Sequence, residues 1–142
     1  MTASRRIEHR LRPADPNDLT RLTEIARVAF GDDPTLNLPD LQRDSSLFLA
    51  EWRTAVDGFI VLLPLPNSIL IHRMAVAEEA RGQGLGAWFL DCASEHARSQ
   101  DLKAVEIQRP VSDRAGIDWL RRHGFTADPH GGNRIYLRRP TQ

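Results

Sequence analysis

Cysteine, lysine and tyrosine are almost missing from this 142-residue sequence, which holds one of each, at Cys92, Lys103 and Tyr136. A lone cysteine excludes a disulfide framework within the chain and suits a reducing, cytoplasmic compartment. Arginine carries nearly all the positive charge, and 19 basic residues against 19 acidic ones leave a formal net charge of zero. No overall field therefore draws in nucleic acid or an anionic membrane, and neither is expected as a partner. The longest apolar run, Phe59 to Leu65, contains Pro64 and is far too short to cross a bilayer. Arg5 and Arg6 are not followed by an apolar stretch, so no signal peptide is expected. His9, His96, His123 and His130 show no metal-ligand spacing, which argues against a metal. There is no internal repeat or linker, and 41% of the residues are hydrophobic, so residues 1–142 read as one soluble domain with its own core.

What the sequence does have is a glycine-rich stretch around which the rest can be arranged. Ile69 to Val76 is apolar apart from His72 and Arg73, as expected of a strand buried on both faces. After Ala77–Ala80 comes Arg81-Gly82-Gln83-Gly84-Leu85-Gly86, and from there Leu85, Phe89, Cys92 and His96 recur as one stripe of an amphipathic helix. Cys92 on that stripe reads as a small core residue rather than a nucleophile. A helix begins with unpaired N–H groups and the positive end of its dipole, both of which attract anions. Glycines at 82, 84 and 86 remove the Cβ atoms that would hold a phosphate away from those groups. The spacing fits neither the dinucleotide fingerprint Gly-x-Gly-x-x-Gly nor the P-loop, which requires Gly-Lys-Ser/Thr.

Arg81 to Gly86, with its lead-in Val76-Ala77-Glu78-Glu79-Ala80, resembles the acetyl-CoA-binding motif Arg/Gln-x-x-Gly-x-Gly/Ala of the GCN5-related N-acetyltransferase (GNAT) family. Arg81, Gly84 and Gly86 match it. A second signature of that family runs from Asn-x-x-Ala through an aromatic-Tyr pair to Gly-Phe. Trp119 and Gly124-Phe125 match this, while Asp113 stands in place of Asn, Gly116 in place of Ala, and Leu120 in place of the tyrosine proposed to protonate the CoA thiolate. The resemblance implies an α+β fold of the GNAT acyl-CoA N-acyltransferase type, a mixed central sheet of six to seven strands flanked by helices. It implies acetyl-CoA as acyl donor. Met74, Ala75 and Val76 would meet the pantetheine arm where the fourth and fifth strands splay apart. Arg81, Gly82, Gln83, Gly84, Leu85 and Gly86 would hold the pyrophosphate, and Asp113 would join the cofactor site from the second signature. Arg81 can equally be an ordinary surface arginine.

Along the chain, Ile7–Leu11 alternates as a first strand. Asp15-Pro16-Asn17-Asp18 supplies helix-start residues, and Leu22, Ile25, Ala26, Ala29 and Phe30 form the stripe of a helix over Leu19–Phe30 that Gly31 ends. An acidic, turn-rich stretch follows, with a short helix near Leu41. In the family this region shapes the acceptor site. Ser46–Trp52 and Gly58–Pro66 read as strands joined by a turn over Arg53–Gly58. Lys103–Arg109 reads as a fifth strand, parallel to the fourth because a helix separates them. Asp113–His123 reads as a second main helix capped by Asp113, and Arg134–Arg138 as the last strand after a loop over Asp128–Asn133.

Acetyl transfer needs an anchored thioester, a neutral amine and stabilisation of the charge that develops. His72 is the candidate base, since neutral imidazole accepts a proton at physiological pH, and strand alternation puts it on one face with Leu70, Met74 and Val76. A buried, hydrogen-bonded structural histidine is the alternative. Glu51 and Glu106 are alternative bases that read rather as solvated or salt-bridged strand carboxylates, and Tyr136, the only tyrosine, could replace the missing acid but reads as a packing residue. Asp32, Asp33 and Asp40 either attract a cationic amine or form a solvated loop. The reading is an acetyl-CoA-dependent N-acetyltransferase whose partner is a small-molecule or peptide amine, with a homodimer left open. A longer acyl-CoA as donor and a non-catalytic acetyl-CoA-binding module are its rivals.

Overall fold

The computed structural model describes residues 7–128 and 132–142; Arg5, Arg6, His130 and the centre of the loop after Asp128 lie outside the described residues. One mixed sheet carries seven strands: β1 (Arg10–Pro13), β2 (Leu47–Trp52), β3 (Ala55–Pro64), β4 (Ser68–Val76), β5 (Ala104–Pro110), β6 (Thr126–Asp128) and β7 (Arg134–Pro140). Their order is β1-β2-β3-β4-β5-β7-β6, with β4 and β5 parallel as the intervening helix requires. The helices are α1 (Leu19–Phe30), α2 (Leu38–Arg43), α3 (Leu85–Ser99) and α4 (Arg114–Arg122). This is the α+β architecture with the strand count expected from the sequence.

The residues fall into two compact units. One takes the described chain up to Val61 together with Arg73–Phe89; the other takes Leu62–His72 and the described chain from Leu90 on. In the first, Asp15 caps a 3₁₀ turn over Pro16–Asp18, and Asp18 returns the bond to the Asp15 N–H at 2.8 Å, a reciprocal cap that fixes the approach to α1. Leu22, Ile25 and Ala26 of α1 are buried, and Gly31 ends the helix at φ 67°, a conformation that costs glycine little. Arg12 donates to both Asp18 and Glu51, at 2.8 and 3.0 Å, and its guanidinium holds both carboxyls below the usual range. Leu47, Leu49, Phe59 and Val61 complete this core. In the second unit, Ile69 and Ile71 of β4, Ala104 and Val105 of β5, and Leu137 of β7 are buried with Ile117 and Leu120 of α4.

Five expectations are corrected. The first strand starts at Arg10 rather than Ile7, and runs on to Pro13 because Arg10–Pro13 pairs with Phe48–Glu51. β3 starts at Ala55, since Arg53 takes a left-handed φ of 58° and closes the β2–β3 connection in a tight turn. The buried row of α3 is Leu85, Phe89, Leu90, Ala93 and Ala97, leaving Cys92 and His96 half-buried beside it: small alanines face inward where larger neighbours were expected. Only the first half of β4 is largely buried, His72, Arg73, Met74 and Val76 being half-exposed. The three-residue β6 is too short to leave a periodic signal, and Tyr136 sits on an open face, 36% exposed, instead of packing in the core.

Candidate active site

The glycine loop occupies the turn between β4 and α3. Ala77 starts a 3₁₀ turn over Glu78–Ala80, which delivers an exposed Arg81 into Gly82, Gln83 and Gly84. Gly82 and Gly84 adopt φ of 81° and 86°, and a Cβ built on either would meet nothing within 4 Å. The two glycines are thus required by conformation, and the space beside them is empty. Gly86 differs: it lies inside α3 and is not among the glycines with positive φ. The helix ladder begins with Trp88 N–H donating to Gly84 O at 3.0 Å, so the N–H groups before it have no partner within the helix. The 15-residue length of α3 gives those groups a full helix dipole behind them. A pyrophosphate fits this arrangement by charge and by space.

Both ends of the loop are tied down. On the approach, Ala77 N–H donates to Asp57 O at 2.8 Å, and a Cβ on Gly58 would stand 2.6 Å from Ala75 O and 3.0 Å from the Phe89 ring, so β3 lies hard against both. Arg21 of α1 donates to Val56 O at 3.1 Å and to the Glu79 carboxylate, whose pKa falls through backbone hydrogen bonding and this guanidinium.

Met74, Ala75 and Val76 close β4, whose register with β5 runs from Ser68 to Ile71 and stops. They lie beyond its last rung. His72 is half-buried on β4, with Met74 on the same face of the strand. Between them, Arg73 donates to Asp33 at 3.2 Å and to Thr35 at 3.3 Å, pinning the loop between α1 and α2 to β4. Asp33 also accepts from Thr35, chiefly through the Thr35 hydroxyl, and these bonds lower its pKa. Its charge is therefore answered within the fold, whereas Asp32, 95% exposed, is solvated and only loosely paired with Arg27 at 3.6 Å. A cavity of about 410 Å³ lies here, lined by Ala26 and Arg27 of α1 and by Asp33, Leu36 and Leu38.

The residues of the second signature belong to the other unit. Asp113 accepts from Gly116 N–H at 3.2 Å as the cap of α4 and from Arg109 at 2.7 Å, and the guanidinium is the main reason its pKa is lowered. A Cβ on Gly116 would reach within 2.1 Å of that carboxylate, so the glycine at this position leaves room for the acidic cap. Leu120 is buried, 2% exposed, and Trp119 stacks with His123 at 4.7 Å between centroids. Glu51 is bound to Arg10 and Arg12, and Glu106 to Ser68. Burial, reinforced by Asp91 and Glu95, pushes the Cys92 thiol up to about 12. Among the described residues no cluster of His, Cys, Asp or Glu has the form of a metal site, and no helix is long and apolar enough to cross a membrane.

Residues 43–127, more than half of the chain and including the loop, match the acetyltransferase (GNAT) domain. The chain belongs to the GNAT acetyltransferase family. Solved structures of similar fold agree. Ard1 of Thermoplasma volcanium superposes on this GNAT chain with a TM-score of 0.78 at 21% identity, covering 93% of this chain and 97% of its own. A GNAT-family acetyltransferase of Listeria monocytogenes gives 0.80 at 13% identity, covering 93% and 94%. The protein yncA of Salmonella typhimurium, solved with its cofactor acetyl-CoA, gives 0.72 at 16% identity, covering 95% of each chain. No curated protein matches the sequence.

The sequence reading missed His9 and Asp57. His9 Nε2 stands 2.7 Å from the Asp57 carboxylate, and its side chain is only 4% exposed. With the two residues 48 positions apart in sequence, no local pattern announces the pair.

Proposed function

We propose that this GNAT chain is an acetyl-CoA-dependent N-acetyltransferase that passes the acetyl group directly to an amine within a ternary complex. The observation that carries the reading is the pair of left-handed glycines, Gly82 and Gly84, opening empty space at the start of α3. Acetyl-CoA bound to yncA supports acetyl as the group transferred. The family match, residues 43–127, includes parts of both compact units, which supports treating residues 1–142 as one functional domain.

Acetyl-CoA supplies the acyl group as an activated thioester. The N–H groups ahead of Trp88 hold the pyrophosphate, with Arg81 adding charge at the exposed rim. Met74, Ala75 and Val76 offer strand backbone to the pantetheine amides. His72 takes the proton from the attacking amine, directly or through one water. Leu120 is buried and has no proton to give; a thiol of pKa about 8.5 leaves tolerably near neutral pH, so water serves as the acid. The cavity at Asp33 and Leu36 supports a small amine or a peptide amine as acceptor. The lone, high-pKa thiol of Cys92 suits a reducing cytoplasm.

Calorimetric titration with acetyl-CoA, followed by CoA release across a panel of amines, tests this. Binding with release above background in at least one amine is the expected result. Binding without release makes the chain a non-catalytic cofactor-binding module, the reading that Leu120 favours. No binding overturns the proposal. In the active enzyme, His72→Ala should lower kcat by roughly 10²-fold and flatten the rise of rate with pH through the imidazole range; an unchanged pH profile would reduce His72 to packing.

A further inference from the structure

The pair His9–Asp57 lies outside the chemistry described above, yet it touches both ends of the glycine loop. Asp57 is the residue whose carbonyl accepts from Ala77 N–H at 2.8 Å, fixing the point where β4 gives way to the loop. Its carboxylate is bound to His9 Nε2 at 2.7 Å. The His9 ring lies near two indoles, 6.1 Å from Trp52 and 6.2 Å from Trp88, centroid to centroid. Trp88 is the residue whose N–H closes the first turn of α3 onto Gly84. One imidazole therefore connects the anchor before the loop to the anchor after it.

We propose that His9, through Asp57 and Trp88, is a positioning residue for the cofactor loop, setting the separation between Ala77 and Trp88 that lets the N–H groups between them converge on a pyrophosphate. The inference rests on the acetyl-CoA reading of that loop. The ring's other nitrogen supports it: His9 Nδ1 is buried and has no hydrogen-bond partner among the described residues. An unpaired polar atom in an apolar setting costs stability that an apolar side chain would not. Histidine is thus a poor choice for packing alone, and a good one where a rigid ring must both pack near the two indoles and hold a carboxylate. With Asp57 ionised, Nε2 carries the hydrogen and donates it, and the Asp57 backbone is held from its own side chain.

The test compares wild type, His9→Ala, His9→Gln and, as a core truncation in the same unit away from the loop, Ile25→Ala. Calorimetry with acetyl-CoA should show affinity falling about tenfold in His9→Ala. His9→Gln, which keeps an amide donor toward Asp57, should recover most of that loss, and Ile25→Ala should bind like wild type despite a lowered Tm. In turnover, KM for acetyl-CoA should rise while kcat at saturation changes by less than about threefold. Acetyl-pantetheine, which has no pyrophosphate, should react equally well with wild type and His9→Ala. If His9→Ala does not fold, His9→Leu, which fills the space without a donor toward Asp57, takes its place and should show the same loss of affinity. Wild-type affinity in folded His9→Ala (or in His9→Leu where it stands in), or an equal loss in Ile25→Ala or with acetyl-pantetheine, overturns the positioning role and leaves the acetyl-CoA reading standing. Failure of the wild type to bind acetyl-CoA overturns both.

Discussion

The two stretches that most resemble the family differ in what they leave available. In the loop at Arg81–Gly84, two glycines face open space and the N–H groups that open the helix behind them have no partner within it. At Asp113–Leu120 the polar group is already engaged by Arg109 and Gly116, and the side chain at the tyrosine position is inside the core. On the reading proposed above, a match of residue pattern means binding in one place and architecture in the other. What separates them is the number of hydrogen-bonding groups the fold has not itself satisfied.

The largest effect that would probe this contrast is a change at Leu120. Leu120→Ala should cost about 2–5 kcal/mol of stability, read as a fall in Tm or denaturation midpoint, since the site is a packed core position. Leu120→Tyr should overpack the same site, costing about 1–3 kcal/mol, and should not raise turnover tenfold; a gain that size would put residue 120 in the chemistry and erase the contrast.

Next comes Gly84→Val. A branched side chain at φ 86° is strained and fills the empty space, so acetyl-CoA affinity should fall at least tenfold, about 1.4 kcal/mol, in protein whose circular dichroism still reports the fold. Unchanged affinity by calorimetry would move the phosphates elsewhere.

Asp113→Ala is smaller and points the other way. Losing the α4 cap should lower stability by about 1 kcal/mol while leaving acetyl-CoA affinity within about twofold. A tenfold loss of affinity would return Asp113 to the cofactor site.

The smallest effect is acid sensitivity. Asp113, Asp18 and Glu51 all have pKa values lowered by arginine partners, so each adds stability that is present above its unfolded pKa of about 4 and is lost as pH falls through the lowered value. Tm should therefore drop between pH 5 and pH 3, and Asp113→Asn should shallow that slope; an unaltered slope would show the Arg109 pair to be idle.

Much of this was legible because local chemistry dictated it. The bounds of α1 follow from its caps and stripe, and the glycine loop announces itself through residues that only a left-handed turn before a helix requires. The distant pairings were not legible. Nothing near His9 points to Asp57, and nothing near Asp33 points to Arg73, because such contacts are made by strand order rather than by spacing along the chain. Asp113 was readable as a cap from its position, but its engagement by Arg109 across one turn needed coordinates. β6 was lost for a simpler reason, being too short to show a period, while the turn after Trp52 was anticipated but drawn too long, β3 starting already at Ala55.

The thiol of Cys92 bears on how any of this is measured. Assays that follow released CoA with a thiol-reactive dye count every accessible thiolate, including those of the protein. With its pKa pushed up to about 12, Cys92 stays almost wholly protonated at pH 8, and half-burial slows the reagent further. The protein is consequently near silent in its own reporter channel. High enzyme concentrations can be used against sluggish amines without the blank rising to meet the signal, and a slow substrate will not be mistaken for none.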